Sequence, residues 1–372
     1  MTFYMPTRVF EEKNCVAAHA AELAALGTKA MLVTGRRSAK DNGSEADVAA
    51  ALDAQNVPYL VYDEIEENPS IETVMKARDV AVREGADFFI GIGGGSPMDA
   101  AKAISLMAKN PDKDETILFQ NDPDAAWYPV AAVPTTCGTG SEVTGVAVLT
   151  IHEKKTKSSI AYRIFPELAL ADPKYLKHAP VKVLHNTAMD ALCHLCESYV
   201  NASATDYSRM CAVKGLEVWS RSKAFLTQLT AETTAETYAE LLRASTFAGM
   251  AIAQTGTSLP HGLSYGLTYY LGVPHGQACG QFLAGYLAEA DPEDTAFVLK
   301  TAGFDSLEEL NGFFAASCGA VDVPEDTLEA IVAQLAANPA KLKNAPFAVD
   351  ENVLRRIACY NHHYVNGIYP VK

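Results

Sequence analysis

The chain is organised around residues 259–276, which read LPHGLSYGLTYYLGVPHG. This stretch holds two histidines, His261 and His275, which one continuous helix would separate by about 21 Å at about 1.5 Å per residue. No single metal ion could bind both side chains at that distance. Gly272 and Pro274 stand between them, and a proline ends or kinks a helix. The sequence therefore predicts a helix that begins near His261, a break at these two residues, and a return that brings His275 back.

A second stretch, residues 185–200 (HNTAMDALCHLCESYV), has the apolar periodicity of a helix. Asp190 and His194 lie four positions apart, so their side chains project from the same helix face. One carboxylate and three imidazoles suit a divalent metal such as Fe(II) or Zn(II). Each residue alone has a structural alternative, because most lone histidines are simply hydrogen-bonded within a fold. Four residues are therefore candidate metal ligands as a set: Asp190, His194, His261 and His275.

Cys193 and Cys196 form a Cys-x-x-Cys pair on the predicted helix. Such a pair can be a redox motif or half of a zinc site. Both cysteines, however, lie on the apolar stripe of that helix, and the sequence contains no second pair. We therefore expect them to pack in the core. The eight cysteines are scattered, and we expect free thiols in a reducing cytosol.

Composition and charge exclude several classes of protein. The chain has 372 residues, of which 49% are hydrophobic and 20% charged, as in an ordinary globular protein. The formal net charge of -15 argues against a nucleic acid or an anionic membrane as a partner. No charged residue occurs between Arg243 and Glu289, but glycines, prolines and polar residues interrupt this stretch before a membrane span could form. We expect a buried helix pair there and a cytoplasmic protein without a signal peptide.

The two halves of the chain have different patterns. In the N-terminal half, short apolar runs alternate with helical segments, which predicts a mostly parallel sheet with flanking helices. Strands are expected at 29–34, 58–62, 86–92 and 129–133 and within 146–172, with helices at 17–26, 44–56, 70–84 and 99–108. From residue 181 onward, strand signals vanish. We therefore predict an α/β domain, 1–178, and an all-helical domain, 179–372, whose His362-His363 pair we interpret as structural.

Glycine-rich and hydroxyl-rich turns follow two of the predicted strands. Gly93, Gly94, Gly95 and Ser96 form a strand–turn–helix junction in which backbone N–H groups could hold a phosphate. The pattern is not G-x-G-x-x-G, and many ordinary loops share it. A second turn contains the small hydroxyl residues Thr135, Thr136, Thr139 and Ser141, which either line the same cleft or form an ordinary tight turn.

The residues after the first buried strand bear on the choice of nucleotide. A site for NAD usually has an acidic residue there, whereas a site for NADP has a small residue with an arginine nearby. Gly35, Arg36 and Ser38 fit the NADP pattern. The alternative is that Arg36 and Arg37 are solvated side chains of a loop.

Together these stretches resemble the iron-containing (group III) alcohol dehydrogenase family. The matching pieces are GGGSPMDAAKAI (93–104), PTTCGTGSEVT (134–144), TAMDALCHLCESYV (187–200) and the His261–His275 pair, in family order over essentially the whole chain. The resemblance implies a Rossmann-like N-terminal domain and an all-α C-terminal domain, the fold shared with dehydroquinate synthase. It also implies a homodimer and a metal held by the four candidate ligands. The nucleotide contacts that it implies are Gly94, Gly95, Ser96, Asp99, Thr135, Thr136 and Lys157.

One position departs from the family pattern. Many members have a further histidine, often assigned to proton transfer, four residues after the position of His261, and this chain has Tyr265 there. A tyrosine can donate and accept a proton, but its unperturbed pKa is about 10. Tyr265 is therefore the candidate catalytic residue, unless water and a ribose hydroxyl transfer the proton instead.

The resemblance implies NAD(P)-dependent interconversion of small primary alcohols and aldehydes, with Fe(II) or Zn(II) as the metal and NADP(H) as the expected nucleotide. Three alternatives stay open from the sequence. The first is a zinc-dependent polyol (glycerol-type) dehydrogenase, and the second is a lyase of the dehydroquinate synthase kind. The third is a nucleotide-binding relative without catalytic turnover.

Overall fold

The computed structural model of the protein describes residues 2–227 and 234–360. The His362-His363 pair lies outside the described residues. The strands are β1 (Arg8–Glu11), β2 (Ala30–Thr34), β3 (Tyr59–Tyr62), β4 (Phe88–Gly93), β5 (Val130–Pro134), β6 (Val148–Ile151), β7 (Thr156–Ser159) and β8 (Leu168–Ala171). The helices of the N-terminal half are α1 (Cys15–Ala18), α2 (Ala20–Ala24), α3 (Ser38–Asp41), α4 (Ser44–Ala54), α5 (Ile71–Glu84) and α6 (Gly95–Lys109).

The helices of the C-terminal half follow a short 3-10 helix, Pro173–His178. They are α7 (Val181–Val200), α8 (Asp206–Arg221), α9 (Lys223–Thr227), α10 (Ala235–Thr255), α11 (Leu259–Leu271), α12 (His275–Glu289), α13 (Pro292–Ala302), α14 (Leu307–Ser317), α15 (Glu325–Ala336), α16 (Pro339–Leu342) and α17 (Glu351–Cys359). The proposed boundary between residues 178 and 179 falls between β8 and α7.

Six strands form one parallel sheet in the described part of the chain, in the order β1-β8-β5-β4-β2-β3. Alternate residues of each strand face opposite sides of the sheet. Met31 and Val33 of β2 pack in the cluster that includes α5 and α6, whereas Leu32 packs in the cluster that includes α1, α2 and α4. The predicted α/β domain with an all-helical C-terminal region is thus confirmed.

The strand order reverses between β2 and β4. From β2 the chain continues to β3 at one edge, and from β4 it continues to β5 on the opposite side. Open α/β sheets bind ligands in the crevice at the carboxyl ends of the strands where the order reverses. Gly35 follows β2, and the glycine-rich turn at Gly93 ends β4. The topology therefore places both predicted nucleotide elements at this crevice.

Several predicted elements differ in detail. Residues 146–172 give only one strand of the main sheet, β8, because β6 and β7 pair with each other as a separate antiparallel hairpin. The helix expected from residue 99 already begins at Gly95, inside the glycine turn. The helix expected at 17–26 consists of α1 and α2, separated by His19 with φ of -113°. Local sequence could not distinguish strand partners or these helix breaks.

The break between His261 and His275 is confirmed. Helix α11 ends at Leu271, its C-cap Gly272 has a left-handed φ of 66°, and Pro274 precedes the first residue of α12. Most of α12 is buried, but Tyr270 and Leu271 at the end of α11 are exposed, so the expected buried pair is buried only in part. Cys193 and Cys196 lie in the hydrophobic core, as predicted. Among the described residues, none of the helices combines the length and the apolar character needed to cross a bilayer.

Helices α7 and α12 pack unusually closely at Gly276. A Cβ atom built on Gly276 would lie 1.7 Å from the carbonyl oxygen of Asn186 and 3.1 Å from the Cβ of Asp190. Only a glycine therefore fits at this point of α12. Because Gly276 follows His275 directly, the close packing also places His275 next to the helix that carries Asp190.

We expect Gly276→Ala to destabilise the protein by about 3 kcal/mol or more, because the new methyl group must push α12 away from α7. Gly312→Ala is the matched control, since Gly312 lies on an exposed face of α14 with open space where its Cβ would be. That control should gain up to about 1 kcal/mol from the higher helix propensity of alanine. Denaturant unfolding of both variants measures the difference, and equal stability of Gly276→Ala and wild type would contradict the packing argument.

Candidate metal and nucleotide site

Four side chains from three helices converge in the helical half. One potential ligand atom from each of Asp190, His261, His275 and Cys279 lies within 4.8 Å of the others. The His261 Nε2 atom is 3.2 Å from Asp190 Oδ1, and the His275 Nε2 atom is 3.9 Å from the same oxygen. Asp190 and His261 are buried, whereas the His275 side chain is 27% exposed. His275 is therefore the member of the cluster that faces accessible space.

The charges within the cluster suit a cation. Burial by itself would raise the pKa of the Asp190 carboxyl, but the imidazoles of His194, His261 and His275 outweigh it and hold that pKa below its usual value. Loss of solvation lowers the pKa of His275 to about 3, so that its imidazole is neutral. An ionised carboxylate beside a neutral imidazole is the protonation state in which both groups can bind a metal.

His194 lies at the margin of the cluster. Its Nε2 atom is 3.9 Å from Asp190 Oδ1, and its ring stacks on His261 with centroids 4.3 Å apart. Its Nδ1 atom donates a hydrogen bond of 3.2 Å to the carbonyl oxygen of Gly138. Among the described residues, His194 is not in the group of atoms that lie within 4.8 Å of one another.

Glu197 supports the cluster and was not identified from the sequence. One of its carboxylate oxygens accepts a hydrogen bond from His261 Nδ1 at 2.5 Å, and the other accepts one from the backbone N–H of Ser258 at 2.5 Å. The first bond leaves His261 Nε2 directed at Asp190, and the second ties α7 to the start of α11. Carboxylates that orient a ligating imidazole in this way commonly support metal sites. Glu197 follows Asp190 by seven positions on α7, so helical spacing could have indicated it.

Cys279 was also missed. It follows His275 by four positions on α12, which places both side chains on the same helix face. Its thiol is buried, and its Sγ atom lies 3.8 Å from His275 Nε2. The spacing was readable in the sequence, but a single cysteine on a predicted core helix gave no reason to prefer it over the other seven.

The two predicted nucleotide turns contact each other. A Cβ built on Gly94 would lie 3.2 Å from Thr136, and one built on Gly95 would lie 2.8 Å from Thr139. The backbone N–H of Thr135 donates a hydrogen bond of 2.8 Å to Gly93. Helix α6 begins here without a side-chain cap and without an acidic residue in its first turn. The backbone N–H groups at this helix end can therefore donate hydrogen bonds to an anion, as in phosphate-binding loops.

The hydroxyl-rich turn also reaches the metal cluster. Cys137 lies 3.2 Å from the hydroxyl of Thr187 on α7, and Gly138 packs so closely that a Cβ there would lie 2.7 Å from the Thr187 carbonyl oxygen. The same turn thus contacts the glycine cradle on one side and the helix that carries Asp190 and His194 on the other. This contact joins the two halves of the candidate site.

Ser96 and Asp99 are engaged within the protein. The Ser96 hydroxyl accepts a hydrogen bond of 3.0 Å from the backbone N–H of Asn68. One Asp99 oxygen accepts a hydrogen bond of 2.5 Å from the Ser141 hydroxyl, and the other accepts one of 2.9 Å from the Val148 N–H. Lys102, fully buried, donates from the same helix to the Ser141 hydroxyl at 2.7 Å. In the structure these side chains hold α6 against the segment that leads into β6.

Gly35, Arg36 and Ser38 follow β2, the strand that pairs with β4. Arg36 lines a cavity of about 830 Å³. The other lining residues are Arg37, Tyr62, Glu64, Ile65, Glu66, Glu67, Thr73 and Lys76. A Cβ built on Gly35 would lie 3.3 Å from the carbonyl oxygen of Ile65, so the chain passes close to its neighbour there. Ser38 is exposed at the start of α3.

Tyr265 lies beside His275 and two lysines. Its ring stacks on His275 with centroids 6.0 Å apart, and the ammonium groups of Lys157 and Lys341 lie 5.9 Å and 5.7 Å from its centre. Lys157 donates a hydrogen bond of 2.6 Å to the side chain of Asn68, and burial lowers its pKa to about 8. Tyr265 and Lys157 therefore both lie beside the predicted metal cluster.

The residues present fit both groups that the sequence predicts. Carboxylate oxygen, imidazole nitrogen and thiol sulfur are donors that bind Zn(II) and Fe(II), and here they converge around one buried carboxylate. The glycine turn leaves no room for side chains between the α6 terminus and the hydroxyl-rich turn, as a close backbone cradle for phosphate requires.

The family profile "Iron-containing alcohol dehydrogenase" matches residues 6–173, and the profile of its C-terminal domain matches residues 185–347. The chain is 31% identical over 267 residues to Alcohol dehydrogenase 4 of Saccharomyces cerevisiae, covering 71% of this chain and 68% of that protein. It is 32% identical over 264 residues to the mitochondrial hydroxyacid-oxoacid transhydrogenase of Caenorhabditis elegans, covering 64% of this chain and 57% of that protein.

A solved structure agrees over nearly the full length. The crystal structure of an iron-containing alcohol dehydrogenase from Thermotoga maritima superposes with a TM-score of 0.89 at 35% identity, covering 97% of this chain and 99% of that one. The two profiles, the relatives and this structural match agree with the site geometry. The chain belongs to the iron-containing alcohol dehydrogenase family of oxidoreductases.

Proposed function

We propose that the protein is a metal-dependent, NAD(P)H-linked alcohol dehydrogenase or aldehyde reductase that acts on small primary alcohols and aldehydes and prefers NADPH. The observation that carries this proposal is the contact of one hydroxyl-rich turn with both the glycine cradle and the metal-ligand helix α7. A nucleotide in the cradle and a metal in the cluster would then share one cleft. Family membership supports the same reaction class.

The protein's own part in this reaction is to bind and orient the reactants. When bound, the divalent metal supplies Lewis acidity toward the substrate oxygen, and the reduced nicotinamide supplies the hydride. Asp190, His194, His261 and His275 would hold the metal, while Glu197 keeps the His261 ring in the orientation that directs Nε2 toward Asp190. Tyr265 Oη is the group that we assign to proton exchange with the substrate oxygen, since its ring lies against His275.

The test is anaerobic oxidation of NADPH with butanal by protein that has been treated with a chelator and then reloaded with Fe(II) or Zn(II). We expect no turnover without metal and restored turnover with it. His275→Ala should lose both metal occupancy and turnover, because it removes the cluster member that faces the cleft. A metal-free His275→Ala protein with full activity would refute the assignment. Stoichiometric metal binding without any turnover would favour a non-catalytic relative.

The preference for NADPH can be tested at Arg36. Arg36→Ala should weaken NADPH binding roughly 10- to 100-fold, because a charge-assisted hydrogen bond to the 2′-phosphate contributes about 1.5–3 kcal/mol. NADH lacks that phosphate, so its affinity should hardly change and serves as the internal control. Nicotinamide fluorescence measures both dissociation constants. Equal weakening of both nucleotides would mean that Arg36 does not recognise the 2′-phosphate.

A second candidate function is hydride transfer between 2-hydroxy acids and 2-oxo acids. Two ammonium groups near Tyr265, those of Lys157 and Lys341, favour a substrate with a carboxylate. The relative from Caenorhabditis elegans carries the name hydroxyacid-oxoacid transhydrogenase. The family resemblance implies that Lys157 contacts the nucleotide. Lys341 would then be the cation that binds the carboxylate of the substrate.

Lys341→Met separates the two candidates. If the substrate carries a carboxylate, kcat/KM for a 2-oxo acid should fall about 10- to 100-fold, the loss expected for one charge-assisted hydrogen bond, while that for butanal stays nearly constant. The matched control is Lys343→Met, which removes an exposed lysine two residues further along the chain. If the 2-oxo acid is not a substrate of the wild type, or if Lys341→Met leaves its use unchanged, the acid-specific function is wrong.

A further inference from the structure

Lys76 lines the cavity next to Gly35, and the sequence pattern for the nucleotide did not include it. Arg36 lines the same cavity, which has a volume of about 830 Å³. Arg36 follows β2, whereas Lys76 belongs to α5, the helix that follows β3. Because β2 and β3 pair in parallel, their carboxyl ends lie side by side. The fold thus brings cations from two separate segments of the chain to one cavity.

Both cations are available to a ligand. In residues 2–227 and 234–360, neither Arg36 nor Lys76 makes a hydrogen bond or an ion pair with the rest of the protein. A hydrogen bond from Lys40 is the main cause that lowers the pKa of the Asp63 carboxyl, and the charge of Arg36 contributes less. Lys40 Nζ lies 2.5 Å from Asp63 Oδ2, so this carboxylate already has a cationic partner. Arg36 is therefore not neutralised by Asp63.

Three glutamates also line the cavity, namely Glu64, Glu66 and Glu67. One oxygen of Glu66 accepts hydrogen bonds from the backbone N–H of Ser70 at 2.8 Å, from the Ser70 hydroxyl at 2.7 Å and from the Thr73 hydroxyl at 2.9 Å. Burial opposes the charge of Glu66, but these bonds lower its pKa below the usual value and fix the carboxylate at the start of α5. Glu64 and Glu67 are exposed, so water screens their repulsion of an anion.

We propose that Lys76 binds the 2′-phosphate of NADPH together with Arg36 and is thus a specificity-determining residue for the nucleotide. The inference rests on the proposed preference for NADPH and identifies a second residue responsible for it. A phosphate monoester carries about -1.5 to -2 charges at pH 7 and three acceptor oxygens, so two cations can bind it at once. An arginine can hold two of its oxygens with the planar guanidinium, and a lysine adds a compact point charge.

The test uses adenosine 2′,5′-bisphosphate and 5′-AMP, which differ only in the 2′-phosphate. Neither probe contains nicotinamide, so binding is measured by calorimetry without turnover and without metal. Wild type, Lys76→Met, Lys76→Arg and Arg36→Ala are titrated with each probe. Arg83→Met is the matched control, because it removes an exposed cation from the same helix at a position that does not line the cavity.

We expect wild type to bind the bisphosphate at least about 10-fold more tightly than 5′-AMP. Lys76→Met should reduce this ratio about 10-fold, near the lower end for a charge-assisted hydrogen bond because Lys76 is exposed. Lys76→Arg keeps the positive charge and should retain most of the ratio, and Arg83→Met should leave it unchanged. The affinity for 5′-AMP should stay nearly constant in all variants, since that probe lacks the 2′-phosphate.

The outcomes that contradict the inference separate it from the proposed function. If Lys76→Met keeps the wild-type ratio while Arg36→Ala loses it, or if Lys76→Met weakens both probes equally, Lys76 does not recognise the 2′-phosphate and the preference for NADPH stands. If wild type binds 5′-AMP as tightly as the bisphosphate, or binds neither probe, the preference and the role of Lys76 are both wrong. Tight binding of 5′-AMP would instead favour NADH, with a glutamate of the cavity accepting the ribose 2′-hydroxyl.

Discussion

The close contact of α7 with α12 at Gly276 is the constraint on which the candidate site depends. Gly276 has no side chain, so the backbones of the two helices can come into contact there. A Cβ atom on this residue would collide with the Asn186 carbonyl oxygen. That approach brings His275, which begins α12, to within 3.9 Å of the Asp190 carboxylate. The left-handed Gly272 and the adjacent Pro274 turn the chain so that α12 can return to α7. A helix break and a glycine together produce the convergence that one continuous helix would have prevented.

Electrostatics then determines what this convergence can hold. Asp190 and Glu197 are two nearly inaccessible carboxyl groups on one helix, and ionised groups in such surroundings are costly without cationic partners. The imidazole of His261 contacts both carboxylates. Burial opposes its charge, but Cys279, Glu197 and Asp190 together raise the pKa of His261 well above its usual value. Asp190 and His261 would hold a divalent cation there, with Glu197 hydrogen-bonded to the His261 Nδ1 atom. The cluster therefore has the charge and the support that a metal centre needs.

The hydroxyl-rich turn after β5 connects this centre to the sheet. Through Thr136 and Thr139 it packs on the glycine cradle, and through Cys137 and Gly138 it packs on α7. Buried polar contacts of Asp99 and Lys102 hold the next segment of chain against α6. This turn is thus one of the contacts that set the relative position of the candidate nucleotide cradle and the metal cluster.

Local sequence was enough to predict the alternation that gives a parallel sheet, the glycine and hydroxyl turns, and the helix break. It also gave the four candidate ligands Asp190, His194, His261 and His275. These features follow from local chemistry, namely apolar periodicity, proline and glycine geometry, and the spacing of side chains on one helix face. Three features became visible only in the folded chain: β6 and β7 pair apart from the main sheet, Glu197 orients His261, and Cys279 rather than another cysteine lies in the cluster. The physical reason is that strand pairing and side-chain convergence depend on how distant segments of the chain pack. Whether a given side chain lies in the cluster or in the apolar core is set by that packing and not by its neighbours in sequence.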